Sequence, residues 1–586
     1  MAFEYGSDTL GIRNPFKFVG FVQAIRGLIL TVLGVITLLS VSSLVQQGDK
    51  TSGWLSLLIG LLLLSQGVIA LGSGLFKMMR FYVGRSVPAS LAENVSPSED
   101  STREKYLHYQ SQQLIQMLMG RKNLTFTEPK GWFARLILTL MPTLLFLPHL
   151  LRNKIQSLSG SLVYTLVGFL FFGLAWFSGS TGLTVITTTP VLDWLSLFLG
   201  LFLLIVWTTQ SLGGQRKLNP TGPDSSLQDS GSKGVVWGIT FSILTPVLLS
   251  YFHTEVTPLP KISFSTINYI ITLTSLGVVV FGYSLLMTLL RAQKTDPKTE
   301  VSEFRENWQE NVHPQDIFIN FEDIIMANRR FKEIPNRVYR DFDPNLIEQG
   351  SDDKGKFSGE IIEETQPVFR PVEMSLLFKN LRIAGTVVGE LLLLSAALML
   401  YSGIHQITQI SSAPMIALNA IIYPFLLWIF GRILAEVAFT FWSEMQYESL
   451  IVYFQCNGTY TESKISTGTS IHDSTRSENT IVRSSMTPWI VSAKIVTSSF
   501  ATSGANNLEG YRSIMELHKA EQDLDKIVSE LKDFMRNRET IANVKQKDLD
   551  SASSIYQVNK STRSQNSLTP LLEEESLDLN ASDRDY

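Results

Sequence analysis

The chain has 586 residues, 45% of them hydrophobic and 17% charged, where an ordinary soluble domain averages about 25% charged. A net charge of −4 excludes a strongly basic nucleic-acid-binding surface, one cysteine (Cys456) excludes an internal disulfide, and seven scattered histidines offer no zinc cluster. No P-loop, G-x-G-x-x-G, H-E-x-x-H or G-x-S-x-G pattern occurs, so no enzyme, cofactor or metal is expected.

The distribution of apolar residues sets the class. About 20 apolar residues cross a hydrocarbon core roughly 30 Å thick. Eight runs approach that length: Phe21 to Leu44, Trp54 to Phe76, Ser161 to Phe177, Val191 to Thr208, Val235 to Phe252, Ile267 to Leu290, Ile383 to Tyr401 and Met415 to Ile433. Lipid offers backbone amides no partners, so such runs form helices.

Residues 1–86 hold the first helical hairpin. The polar first twenty residues precede a run too long for a signal-peptide core, so the first span is expected to be retained. It carries Arg26, and the second span carries Gln66. Residues 87–157 form a loop with a Ser/Pro/acid linker and the apolar segment 132–151. That segment holds Pro142 and Pro148, with Arg135 at its start and Arg152 and Lys154 at its end. Cations at both ends favour a re-entrant or interface-lying segment.

Residues 158–292 supply the second and third hairpins, and 293–379 the largest loop. In that loop His313-Pro314-Gln315-Asp316 reads as a helix start, and Ile317 to Met326 as part of a short helical subdomain. Gly350 to Gly359 reads as a flexible excursion.

The fourth hairpin, 380–440, contains the deepest acid, Glu390, directly after Gly385-x-x-x-Gly389. Small residues at this spacing let another helix approach closely. An ionisable group inside a span is costly and invites a functional reading. Glu390 is expected either to pair with a polar group such as Gln66, or a cation at that depth, or to line an ion pathway. Arg432 and Glu436, four apart, are expected to pair at the inner end of the eighth span.

Residues 441–505 are rich in β-branched and aromatic residues and predict a small β-rich domain. His472-Asp473-Ser474 lies there; adjacent residues cannot converge as a catalytic triad, so a turn is expected. Within 506–550, Leu517, Leu524, Ile527, Leu531 and Phe534 recur at spacings of three and four. They predict a helix from about Glu509 to Asn543, whose seam zips to a partner or a second copy, or packs on the β-domain. The acidic 551–586 tail is expected to be disordered.

Lys and Arg set the orientation. Arg13, Lys17, Lys77, Arg80, Arg85, Arg216, Lys217, Lys233, Arg291, Lys294, Lys298, Arg370, Lys379 and Arg382 flank one side of the runs. The connections on the other side are short and nearly free of cations. By the positive-inside rule both termini and all long loops are cytoplasmic. The expected architecture is an all-α polytopic membrane domain of about eight helices in four hairpins, with one re-entrant or interfacial segment. A small cytoplasmic β-rich domain and a C-terminal heptad helix complete it. Its partners are the lipid bilayer and other proteins or a second copy, with no nucleic acid, at a cell membrane of bacterial inner-membrane type. The function this architecture predicts is a multi-pass scaffold or assembly subunit of an envelope complex. The alternative is a transporter or channel with a pathway near Glu390.

Overall fold

The computed structural model describes residues 13–79, 81, 111–119, 132–181, 202–212, 240, 266–295, 298–326, 337–339, 347–348, 354–365, 368–408, 414–467, 477–501, 503 and 513–542. Among these, six helices are long and apolar enough to cross a membrane: Lys17–Gln46, Lys50–Met79, Leu150–Ser178, Ser275–Ala292, Leu376–Ser402 and Ala420–Ser443. The expected runs at Val191 to Thr208 and Val235 to Phe252 lie largely outside the described residues, as do His472-Asp473-Ser474 and the tail.

The first two helices, α1 (Lys17–Gln46) and α2 (Lys50–Met79), are 30 residues each. At 1.5 Å per residue each is about 45 Å long. They join through a tight turn in which Gly48 takes φ 86°, and Asp49 caps α2 by accepting the Ser52 backbone N–H at 3.1 Å. Their contact is built on glycine at every seventh position: Gly20, Gly27 and Gly34 on α1, and Gly53, Gly60, Gly67 and Gly74 on α2. A Cβ on Gly27 would stand 2.3 Å from the Leu71 amide nitrogen, and one on Gly67 2.5 Å from that of Thr31. Backbone meets backbone along the seam, and a seven-residue period keeps it facing the partner helix. The outer faces are apolar and bare, as in a lipid-facing helix (Leu39 is 71% exposed).

The apolar segment at 132–151 breaks at its prolines. Helix α3 (Ser111–Leu118) comes before it, and α4 (Trp132–Leu140) ends at a 3₁₀ turn, Pro142–Phe146. Helix α5 (His149–Ser180) then begins. Leu138, Leu144 and Leu147 fold back onto Ile155 of α5 and Ala292, the last residue of α6 (Thr266–Ala292). Helix α8 (Leu376–Ser402) starts at an N-cap, Ser375, whose hydroxyl accepts the Phe378 N–H at 3.3 Å. Before it comes the short helix α7 (Pro314–Met326), and after it α9 (Ile404–Thr408) and α10 (Pro414–Ser443). The buried core of the helical region includes Trp207, Val280, Phe378, Leu426 and Phe430. Trp207, in a π-helical turn, donates to Thr165 Oγ1 at 3.0 Å.

Helix α10 passes into a strand with no linker: Ser443 ends the helix and Glu444 begins β7. Among the described residues the sheet has nine strands, all antiparallel: β1 (Ser302–Arg305), β2 (Trp308–Glu310), β3 (Arg337–Tyr339), β4 (Ile347–Glu348), β5 (Lys354–Glu364), β6 (Val368–Arg370), β7 (Glu444–Thr467), β8 (Ser477–Phe500) and β9 (Ser513–Lys519). Strands β7 and β8 are 24 residues each and pair from Glu444↔Phe500 to Thr467↔Ser477.

Both faces of this sheet are covered. Leu450, Val452, Phe454 and Cys456 face α7 and the last described helix, α11 (Glu521–Ala542), in one core. Ile451 and Tyr453 face the opposite way, into a core with Leu114, Met117 and Leu118 of α3. That is why Leu450 to Phe454 is a continuous apolar run rather than an alternating one.

Three expectations are corrected. The 293–379 loop does not stand apart as its own subdomain: Ile317 to Met326 is helical as expected, in α7, but among the described residues six segments of the loop are strands of the same sheet as β7 and β8. The second half of Gly350 to Gly359 is not an excursion but the start of β5. Its glycines admit close neighbours, since a Cβ on Gly355 would fall 2.3 Å from the Tyr460 ring. Last, the helix expected from Glu509 begins at Glu521. Leu517 belongs to strand β9, where its N–H donates to the Lys298 carbonyl at 2.8 Å. Glu521 and Asp523 then occupy the first turn of α11, where acids suit the positive end of the helix dipole.

Candidate functional site

The deep acid, Glu390, does not meet Gln66. Gln66 sits on the exposed face of α2, and Glu390, 7% exposed, pairs with Arg26 of α1 at 2.5 Å. Around this pair, α8 is packed tightly on two other neighbours. Gly389 lies against α10, where a Cβ would stand 2.8 Å from the Ala435 nitrogen. Gly385 is covered by the Tyr283 ring of α6, whose hydroxyl would be 2.1 Å from a Cβ there. The Gly385/Gly389 pair therefore serves two neighbours, one a helix backbone and one an aromatic ring.

Other polar groups extend this pair toward the sheet end of the helices. Lys77 of α2 donates to Gln23 Oε1 at 2.7 Å and lies 4.8 Å from the centre of the Phe439 ring. Arg432 pairs with Glu436 along α10 at 2.7 Å, the i,i+4 arrangement expected from spacing. Lys154 of α5 donates to the Glu436 carbonyl at 2.8 Å and to the Thr440 hydroxyl.

A second constellation joins the helices to the sheet. Arg291, at the end of α6, forks onto Glu444, the first residue of β7. Its Nε donates to Oε1 at 3.0 Å and Oε2 at 2.9 Å, and one terminal nitrogen to Oε1 at 2.6 Å. The other terminal nitrogen donates to Thr295 Oγ1 at 2.9 Å, and Ser498 of β8 donates to Glu444 Oε1 at 2.9 Å. The two side chains are 0% and 3% exposed.

The five seam residues divide. Leu524, Ile527 and Leu531 are buried against the chain's own sheet, and Phe534 packs at that core's edge. Leu517 is in the opposite core, with Ile495 and Ile514. The apolar face of α11 is thus occupied within the chain and is not free to zip to a partner.

Sequence reading missed Arg291, Glu444, Lys77 and Lys154 as site residues. Arg291 and Lys77 were legible only as cations at span ends, Lys154 as a cation at the end of the 132–151 segment, and Glu444 only as part of the β-rich 441–505 stretch. The seven-residue glycine repeat was a signal that would have placed α1 against α2 and brought Gln23 near Lys77.

His313 caps α7, its Nδ1 accepting the Gln315 N–H at 3.1 Å, and its ring packs on Tyr460. Cys456 is buried in the sheet, and burial pushes its thiol pKa up to about 12. Burial, with the Glu360 carboxylate 2.9 Å away, also raises the Tyr453 hydroxyl above its ordinary value. Among the described residues no three His, Cys, Asp or Glu side chains are placed to hold a metal.

The fold and its polar groups thus define a chain with several helices able to cross a membrane and a separate antiparallel sheet. No protein-family model, curated protein or solved structure matches it, so function rests on these groups alone.

Proposed function

We propose that the chain is a multi-pass membrane scaffold, an assembly subunit that holds a helix-covered sheet against one face of a bilayer. The observation that carries this is the buried Arg291–Glu444 fork, which ties the end of one apolar helix to the first residue of β7, a central strand of the sheet. A transporter needs groups that change partners in mid-membrane. Glu390 is instead committed to Arg26 within glycine-tight packing, which supports an anchoring role. The sheet and both termini lie on the cytoplasmic, Lys/Arg-rich side of a bacterial inner membrane, with the remaining two of eight spans within 182–265. Protein partners bind the exposed surface of the sheet domain, because the α11 apolar face is already filled.

Two measurements test this. Cysteine at Gln47, in the α1–α2 turn, should label with an impermeant reagent in intact cells, and cysteine at Ser529, exposed on α11, should not. Native Cys456 is buried and adds no background. The opposite labelling pattern refutes the orientation. In parallel, Glu390→Gln should leave the crosslinked complex from native membranes intact. Solute or ion flux through proteoliposomes that vanishes in Glu390→Gln would overturn the scaffold reading in favour of a pathway.

A further inference from the structure

The polar groups at the sheet end of the helices are not balanced. Among the described residues, the cluster around the carboxylates Glu390 and Glu436 holds four cations, Arg26, Lys77, Lys154 and Arg432. Arg26 and Arg432 each have a carboxylate. The two lysines share those carboxylates only at longer range, Lys77 with Glu390 and Glu436 and Lys154 with Glu436; in direct contact the Lys77 amine rests on a glutamine carbonyl and the face of Phe439, and the Lys154 amine on a main-chain carbonyl and a threonine hydroxyl. These direct partners are neutral. Both amines flank a single stripe of α10 that runs through Glu436, Phe439 and Thr440, and Arg432 stands one turn farther along it. The Arg432 side chain is 48% exposed on the outer surface of the bundle. A cluster with two more cations than carboxylates calls for a counter-anion, and its exposed edge at Arg432 stands toward the end of the apolar helices, where phospholipid headgroups would lie.

We propose that Lys77, Lys154 and Arg432 form a binding site for the phosphate of an anionic phospholipid, seated at the α10 stripe. Phe439 and the apolar flank of α2 receive the glycerol and upper acyl chain. Glu436 sits within the site and limits its affinity by like charge. This site depends on the helices crossing a bilayer and not on the scaffold role, so either can fail without the other.

The test uses the full chain in neutral detergent, with native mass spectrometry counting retained phosphatidylglycerol against phosphatidylcholine from mixed micelles. The chain should retain phosphatidylglycerol in preference. Arg432→Gln, at an exposed position, should weaken retention roughly fivefold, the value of one basic side chain near an anionic lipid surface. Lys77→Gln combined with Lys154→Gln should weaken it roughly thirtyfold by the same arithmetic. Glu436→Gln should strengthen it. That opposite-signed pair, Arg432→Gln and Glu436→Gln, decides the matter even if the double lysine variant does not fold. Equal retention of the two lipids, or weaker retention in Glu436→Gln, would overturn the proposal. Displacement of the lipid by millimolar inorganic phosphate would overturn the lipid source and leave a free-phosphate site.

Discussion

Replacing Arg291 by methionine keeps most of the side-chain volume and removes the fork. Glu444 would retain the Ser498 hydroxyl but lose every contact from the guanidinium. Because both side chains are shut away from water, the carboxylate left behind has no solvent to fall back on. Breaking a buried pair on one side costs about 3–5 kcal/mol. For a cooperative unit of 150–250 residues, each kcal/mol moves Tm by about 2–4 °C, so a fall of about 6–20 °C is expected. The double variant Arg291→Met with Glu444→Leu removes both charges together. Apolar replacement of a whole buried pair is often neutral, so this variant should recover most of the loss. Thermal unfolding of the detergent-purified chain, run as a double-mutant cycle, measures both. A single variant that melts with the wild type, or a double variant as unstable as the single, would refute the assignment of the fork as the tie between helix and sheet.

Gly27→Val and Gly67→Val each drive a side chain into the opposing helix backbone and should cost about 1–3 kcal/mol with reduced yield from membranes. Gly72→Ala has open space around it and should match the wild type in both measurements. Leu524→Asp with Leu531→Asp places two carboxylates in the core shared with β7 and should collapse the sheet domain, at a cost on the order of 3 kcal/mol for each site. Limited proteolysis should then cut within 444–542, whereas a resistant domain would mean that α11 is dispensable to the core. Cys456 should resist iodoacetamide at pH 8 until the chain is unfolded. Its raised thiol pKa favours the folded state below pH 9, the ordinary value, and that contribution should fade as pH rises from 9 to about 12. A flat stability profile across that window would show that the thiol is not held away from water.

The membrane-length helices were legible because hydropathy acts over twenty residues and needs no tertiary information. Arg432 and Glu436 were legible because their pairing is local to one helix. The Arg26–Glu390 contact was not, since it depends on which helices adjoin. A lone deep acid revealed that some partner must exist without identifying it. Residues 302–370 misled for a related reason: each of their strands is short apart from β5, and β1, β2, β5 and β6 are stabilised by pairing with the β7–β8 hairpin far later in the chain (Ser302 with Ser492, Glu364 with Ile451), while β3 and β4 pair in turn with β5. Leu517 shows the limit of periodicity. Its three-residue offset from Ala520 imitates a helix, yet the hydrogen bonds of β9 to β8 take precedence over that pattern.

The unbroken passage from α10 into β7 gives the molecule a mechanical character. With the Arg291 fork bracing the joint, helix and strand form one lever. Twenty-four residues of β7 at about 3.3 Å each give an arm of about 80 Å. A change of about 5° in the tilt of α10 would then swing the far end of the hairpin by about 7 Å, on the same strand geometry. Any such tilt of α10 that left the helix intact would therefore reach the far end of the sheet enlarged into a displacement of several ångströms.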